Sequence, residues 1–237
     1  CCRRCLSSSR RYGRRSTIGC RADNRSMSQY FEVHPDNPQP RLLKQAAQIL
    51  HAGGIVAVPT DSSYALVCHL DDKTAVENLR RIRGIDDKHH LTLLCRDLSE
   101  LASFARVDNK QYRLLKLGTP GPFTFILEAK KEVPRRISHP SRRTIGLRVP
   151  EHVVLQGLLE ALGQPLLSTT LIAPGETDPM NEPGEIRDRF QKRIQAVIDA
   201  GACPMQPTTV VDLTGDEPML LREGRGDPAL LGLSFVM

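Results

Sequence analysis

The chain has 237 residues, 40% of them apolar and 25% charged, enough for one large domain or two small ones with a substantial core. It contains no Trp, so the core is expected to be aliphatic, and no run approaches the roughly 18 uncharged apolar residues of a membrane span. The net charge of +6 suggests a nucleic-acid partner, but residues 1–26 alone hold eight Arg and one Asp, while the remaining 211 residues hold 25 basic and 26 acidic side chains.

Those first 26 residues also carry four of the seven cysteines, Cys1, Cys2, Cys5 and Cys20. Met27 then opens the run MSQYFEVHPDNPQ. Residues 1–26 are expected to be a disordered extension, either an upstream artefact ahead of a natural start at Met27 or an organelle transit peptide. The artefact is favoured, because the segment lacks an initiating Met and shows no amphipathic period. Cys2-Arg3-Arg4-Cys5 has the spacing of a metal or redox pair, but it has no partner ligands and no strand–helix context. Cys68, Cys95 and Cys203 are scattered and odd in number. They read as small buried residues of a cytoplasmic protein.

Residues 41–52 place Leu42, Leu43, Ala46, Ile49 and Leu50 on one helical face, and Gly53-Gly54 end the helix. A buried strand at 55–59 follows. Then comes Thr60-Asp61-Ser62-Ser63-Tyr64, a polar stretch between two apolar runs. Residues 74–84 predict a helix with Val76, Leu79 and Ile82 inward and Gly84 as its stop. LTLLC (91–95) predicts a short strand. Asp97 or Ser99 can cap the next helix, and Asp108 the one carrying Tyr112, Leu114, Leu115 and Leu117. Strands are expected at 123–127, after the turn TPGP, and at 144–150. A helix is expected at 152–163, a strand at 165–172 and an acidic Pro/Gly loop at 173–185. A helix at 185–194, a strand at 196–199 and a hairpin about Gly215-Asp216 complete the chain. Interleaved helices and strands argue for one α/β domain over about 27–230.

Hydroxyl and basic residues recur where these strands end: Thr60 to Tyr64, Thr119 with Thr124, Arg148, Ser168 to Thr170, Thr208-Thr209 and Arg222. Ligands bind open sheets where strand ends converge. Hydroxyls and Arg without a nucleophile–base pair suit anion or nucleotide binding better than covalent catalysis. Each segment alone is equally well read as turn chemistry, since Ser and Thr bond their own backbone after strands. The sequence has no P-loop, no G-x-G-x-x-G after the first strand, no H-E-x-x-H and no G-x-S-x-G. His89-His90 reads as a solvated loop pair rather than a metal site.

In order, PTDSSYAL, Arg81-x-Arg83, TPGPFTFIL, TIGLRVP, LLSTTLIAPG, PTTVVDL and LLREG resemble the motifs of the YrdC-like, threonylcarbamoyl-AMP synthase family. The resemblance spans about residues 40–226 and is nearest in texture to the bacterial YciO subfamily. It implies a single-domain, twisted, open mixed α/β sheet flanked by helices, with a concave ligand-binding cavity. It implies a nucleotidyltransferase-type activity that joins L-threonine, bicarbonate and ATP into threonylcarbamoyl-adenylate for the t6A modification of tRNA, with Mg²⁺ accompanying ATP and no metal site of the protein's own. By that resemblance Thr60 and Tyr64 hold threonine and the carbamoyl group. Arg81 and Arg83 grip phosphates. Thr124, Arg148, Ser168, Thr170, Thr208 and Arg222 line the nucleotide side.

The sequence departs from the pattern at four places. Ala65 replaces the signature Gly, Arg81 replaces Lys, Gly84 replaces Pro, and Ile172 stands where the family has Asn. Ile can neither donate nor accept the hydrogen bonds of an Asn. Two further readings therefore stand beside the synthase. One is a YciO-type protein that binds nucleotide, tRNA or double-stranded RNA with little turnover, using the basic stretch Lys130, Lys131, Arg135, Arg136, Arg142 and Arg143. The other is a carbamoyl-transfer domain acting on another substrate. Neither involves a membrane.

Overall fold

In the computed structural model, the structure describes residues 27–86, 89–131, 133–134, 137–138 and 143–233. The proposed extension with its four cysteines, and Arg135, Arg136 and Arg142 of the basic stretch, lie outside the described residues.

Local chemistry sets most element boundaries. Pro40 opens α1 (Pro40–His51), where its missing N–H costs nothing. Asp72 caps α2 (Lys73–Arg83) by accepting from the Ala75 N–H at 2.9 Å. Gly84, at φ 71°, stops it in the left-handed region that only glycine enters freely. Asp97, not Ser99, caps α3 (Leu98–Phe104). Asp108 and Gln111 form a reciprocal capping box on α4 (Asn109–Gly118). Helices α5 (Val153–Leu162) and α6 (Pro183–Phe190) follow.

The strands are β1 (Gln29–Glu32), β2 (Val56–Val58), β3 (Ala65–His69), β4 (Thr92–Leu94), β5 (Phe123–Glu128), β6 (Thr144–Arg148), β7 (Leu166–Thr170), β8 (Ala196–Asp199), β9 (Thr209–Asp212) and β10 (Met219–Arg222). They form one mixed sheet in the order β1-β8-β2-β3-β7-β4-β6-β5-β9-β10. The expected α/β architecture is present. The sheet adds two strands to the sequence reading. β3 is the second apolar run after the polar stretch, and β1 is a short edge strand paired parallel to β8. Helix α4 also turns differently from the expectation, burying Leu115 while Tyr112 and Leu117 stay exposed.

Side chains alternate across each strand, so the sheet supports two separate cores. On one face Leu66, Cys68, Leu93, Phe125, Leu147, Leu167 and Val197 pack under α2, α3, α4 and α6. On the other, Val56, Val58, Ala65, Val67, Leu166, Ala196 and Ile198 pack under α1 and α5. Helices α1 and α5 cover β1, β8, β2 and β3, four of the ten strands, and the ends of β7 and β4 at Leu166 and Leu94. One transverse row of paired residues marks where cover ends: Val67, Ser168, Thr92, Gly146 and Ile126, running from β3 to β5. Apolar Val67 lies under helices, whereas Ser168, Thr92 and Gly146 face a cleft.

Candidate functional site

Among the described residues, the part of the second face beyond these helices is the floor of a cleft of about 220 Å³, lined by Thr92, Thr124, Gly146, Thr170, Thr208 and Val210 among others. At one end it runs into a recess of about 30 Å³ lined by Thr60, Ser62, Ser63, Arg148 and Ser168. At the other, Arg83, Arg222, His89 and His90 form its rim. The polar residues expected at strand ends thus sit largely within strands, facing out of the sheet. Period-two alternation brings Thr92, Thr124, Gly146, Arg148, Ser168 and Thr170 to one face, and the shortness of the α1–α5 layer leaves them open.

Gly146 keeps the floor low. A Cβ there would meet Thr92 Oγ1 at 3.2 Å, the Leu91 carbonyl oxygen at 3.4 Å and Thr124 Cγ2 at 3.4 Å.

The recess end is built from the polar stretch at 60–63. Thr60 Oγ1 donates to the Ser63 carbonyl at 2.7 Å and accepts from the Ser62 and Ser63 N–H groups at 3.1 and 3.2 Å. One donor and two lone pairs are then all in use. Thr60 therefore lines the recess while its hydroxyl holds the turn. That turn presents Asp61 to Arg148, whose guanidinium forms a buried ion pair with the carboxylate and donates to Ser62 Oγ at 3.1 Å. The second Asp61 oxygen accepts from the Glu151 N–H at 3.3 Å. Burial lowers the Arg148 pKa, with Asp61 opposing, and Arg148 Nε has no hydrogen-bond partner. Asp61 was not among the residues proposed from sequence, although it lies inside the singled-out stretch.

Tyr64 is fully buried on the opposite face, and its hydroxyl donates to the Gly201 carbonyl at 3.0 Å. Burial pushes its pKa far above the ordinary phenol value. It does not line the cleft.

The far end is organised by guanidinium groups. Arg83 Nε donates to the Thr170 carbonyl at 3.0 Å, and burial lowers its pKa. Arg222 donates from Nε and an Nη to the Thr208 carbonyl at 3.1 and 2.9 Å, and to Thr208 Oγ1 at 3.2 Å. Thr208 and Thr124 hydroxyls are 2.9 Å apart. Arg can only donate, so Thr208 Oγ1 accepts from it and can pass its own proton to Thr124. Thr124 then has a proton to present to an anion in the cleft. Ser168 Oγ donates to the Thr92 carbonyl at 2.9 Å and keeps its lone pairs.

Arg81 is not brought to this site. It is exposed and donates to Asn78 Oδ1. Residues two apart on a helix point to nearly opposite sides, so Arg81 and Arg83 cannot serve one phosphate group together. The sequence reading also missed Thr92, His89 and His90. Alternation on LTLLC would have found Thr92, whereas the histidines reach the rim through the course of a loop. Ile172 does line the cleft, where it bridges to Pro179.

Other features lie apart from this cleft. A larger cavity, about 1090 Å³, is lined by α1, α5 and the 96–99, 119–120 and 149–153 segments, with Leu43, Pro120 and Val149 beside Lys44, Arg96 and Glu160. It has none of the proposed site residues. Lys130, Lys131 and Arg143 line a further cavity of about 410 Å³ with Arg106. Cys68, Cys95 and Cys203 are buried and free, and burial pushes the Cys68 thiol up to about 12 and Cys203 to about 11. Among the described residues no helix is long and apolar enough to cross a membrane, and no three His, Cys, Asp or Glu side chains are grouped to hold a metal ion.

Known proteins share this fold. The family model Sua5/YciO/YrdC, described as telomere recombination, matches residues 48–224. The protein YciO of Escherichia coli K12, described as uncharacterized, is 52% identical over 201 residues, covering 85% of this chain and 98% of that protein. The crystal structure of E. coli YciO superposes with a TM-score of 0.84 at 51% identity, covering 86% of this chain and all of that one. The crystal structure of P. abyssi Sua5 complexed with L-threonine superposes with a TM-score of 0.77 at 26% identity, covering 83% of this chain and 58% of that one.

Proposed function

The chain belongs to the Sua5/YciO/YrdC family, and from that premise we propose that its cleft binds ATP and L-threonine and forms threonylcarbamoyl-adenylate. The observation that carries this reading is the hydroxyl-lined floor that runs from Arg148, paired with Asp61 at the recess, to Arg83 and Arg222 at the rim. The threonine complex of the P. abyssi relative supports an amino-acid substrate. In the reaction the threonine amine takes up bicarbonate as a carbamate, with loss of water. A carbamate oxygen then attacks the α-phosphorus, the bond to the β-phosphate oxygen breaks, and pyrophosphate leaves.

Such a reaction needs no covalent enzyme intermediate. It needs two reactants held in line and the developing charge met by fixed donors. Thr124, with the Arg222–Thr208 chain behind it, supplies one donor, and Arg83 a second. Mg²⁺ enters with ATP as part of the substrate and supplies charge neutralisation at the phosphates. The product serves t6A modification of tRNA, and the buried free thiols suit the cytoplasm.

A second reading rests on Ile172. An apolar side chain lines the cleft where the family pattern has Asn, and Arg81 is turned to solvent. Both favour nucleotide binding with attenuated turnover. Incubation with ATP, Mg²⁺, bicarbonate and L-threonine, read by mass spectrometry for threonylcarbamoyl-AMP, separates the two. Threonine-dependent product supports the synthase. ATP binding without product supports the second reading, and no ATP binding overturns both.

A further inference from the structure

If Arg81 faces solvent, the rim has two guanidinium groups for a polyphosphate that carries more charge than two cations neutralise. Both already spend donors on the fold, Arg83 on the Thr170 carbonyl and Arg222 on Thr208. The same rim carries His89 and His90. Their loop is fastened from beneath by Arg80, a guanidinium only 7% exposed on the inner face of α2. Arg80 Nη1 donates to the carbonyl oxygens of Asp86 and, at 3.3 Å, of His89. The His89 N–H donates to Asp86 Oδ1 at 3.0 Å. Arg80 thus ties the backbone of this loop to the inner face of α2.

We propose that His89 and His90 are phosphate-contacting residues of this cleft, and that polyphosphate binding is accompanied by proton uptake at His89. The inference rests on the nucleotide reading of the cleft and supplies the donors that Arg81 does not. Among the described residues, the groups that act electrostatically on His89 are Arg83 and Arg80 of α2, Asp86 of its own loop and Arg222 of β10, with His90 beside it. His89 is exposed overall, and partial desolvation of its ring is the first cause that lowers its pKa. Arg83, Arg80 and Arg222 lower it further, and Asp86 opposes them. The free protein thus disfavours the imidazolium form of His89. A polyphosphate reverses the sign of the local field and raises that pKa, so binding draws a proton on. The direction follows from linkage. Because the bound state holds the proton more tightly, the His89 contribution is full below the free-state pKa. It is lost as pH rises through the raised, bound-state value.

The test is calorimetric titration of the full chain with MgATP, and separately with inorganic pyrophosphate and Mg²⁺. Titrations run from pH 6 to 8 in two buffers of different ionisation enthalpy, which count the protons taken up. Wild type, His89→Gln and His90→Gln are compared, because phosphate oxygens titrate alike in all three. The expected result is net proton uptake in wild type that falls in His89→Gln. Each variant should bind both ligands about tenfold more weakly at pH 6.5, the size of one lost charge-assisted hydrogen bond. A merely structural role would not move the proton count. Equal affinity and equal proton uptake in all three proteins overturn the inference, and leave the nucleotide reading intact if MgATP still binds. Histidine-dependent binding of pyrophosphate without MgATP binding sustains the inference and overturns the nucleotide reading. Binding of neither ligand overturns both.

Discussion

Asp61→Ala tests the electrostatic frame of the recess. The Asp61 and Arg148 side chains are 9% and 7% exposed, so the pair is buried from both sides. Removing the carboxylate leaves the Arg148 charge uncompensated in a place where its Nε already lacks a partner. Breaking a buried pair this way costs about 3–5 kcal/mol. The Glu151 N–H also loses its acceptor, adding about 1 kcal/mol. For a domain of this size each kcal/mol shifts Tm by about 2–4 °C, so the fall should be on the order of 10 °C. Thermal unfolding followed by far-UV circular dichroism measures it, and burial should keep the loss largely independent of salt. The decisive comparison is Asp61→Ala with Arg148→Met. Taking out both charges leaves nothing uncompensated, so the double variant should recover most of the lost stability while losing ligand affinity. A double variant as unstable as the two single losses added together would refute the reasoning, because it would mean that the two side chains act independently.

Gly146→Val should abolish MgATP binding at concentrations that saturate wild type while leaving the circular dichroism spectrum unchanged. Its branched side chain would rise from a floor where even a Cβ meets Thr92 and Thr124 at 3.2–3.4 Å, and equilibrium dialysis reads the outcome. Ile172→Asn should raise the rate of threonylcarbamoyl-AMP formation by at least tenfold if an oriented polar contact is what the chain lacks. A fixed donor at a developing charge is worth about 2.7–4 kcal/mol, and mass spectrometry under single-turnover conditions reads the rate. Tyr64→Phe should cost about 1 kcal/mol in urea unfolding through the orphaned Gly201 carbonyl. It should leave ATP affinity unchanged, so weakened affinity would place Tyr64 in the site after all.

Much of this protein is legible in the sequence, because local chemistry writes it there. Caps at Asp72, Asp97 and Asp108 and the left-handed Gly84 and Gly163 mark helix ends through hydrogen bonds and φ angles within a few residues. Alternation along TIGLR and LLSTT sorts side chains onto two faces without reference to any distant residue. The polar members of those strands, Arg148, Ser168 and Thr170, do line the cleft, as do Thr124 and Thr208.

The tertiary structure decided the rest. That the Ser/Thr face stays open depends on how far α1 and α5 reach, a property of packing between segments over a hundred residues apart. Whether Arg81 or Arg83 meets the cleft depends on how α2 is turned against the sheet. The helical period says only that the two diverge, not which of them faces in. The Thr60 hydroxyl serves its own turn, and Tyr64 lies on the far face, because the chain reverses between β2 and β3. His89 and His90 reach the rim because a buried Arg80 holds a loop by its carbonyl oxygens, and no spacing in the sequence records a side chain bonded to backbone. Residue types and periods are local and survive in a one-dimensional string. Which hydroxyls and cations remain free for a ligand is fixed only after the fold has taken the hydrogen bonds it needs.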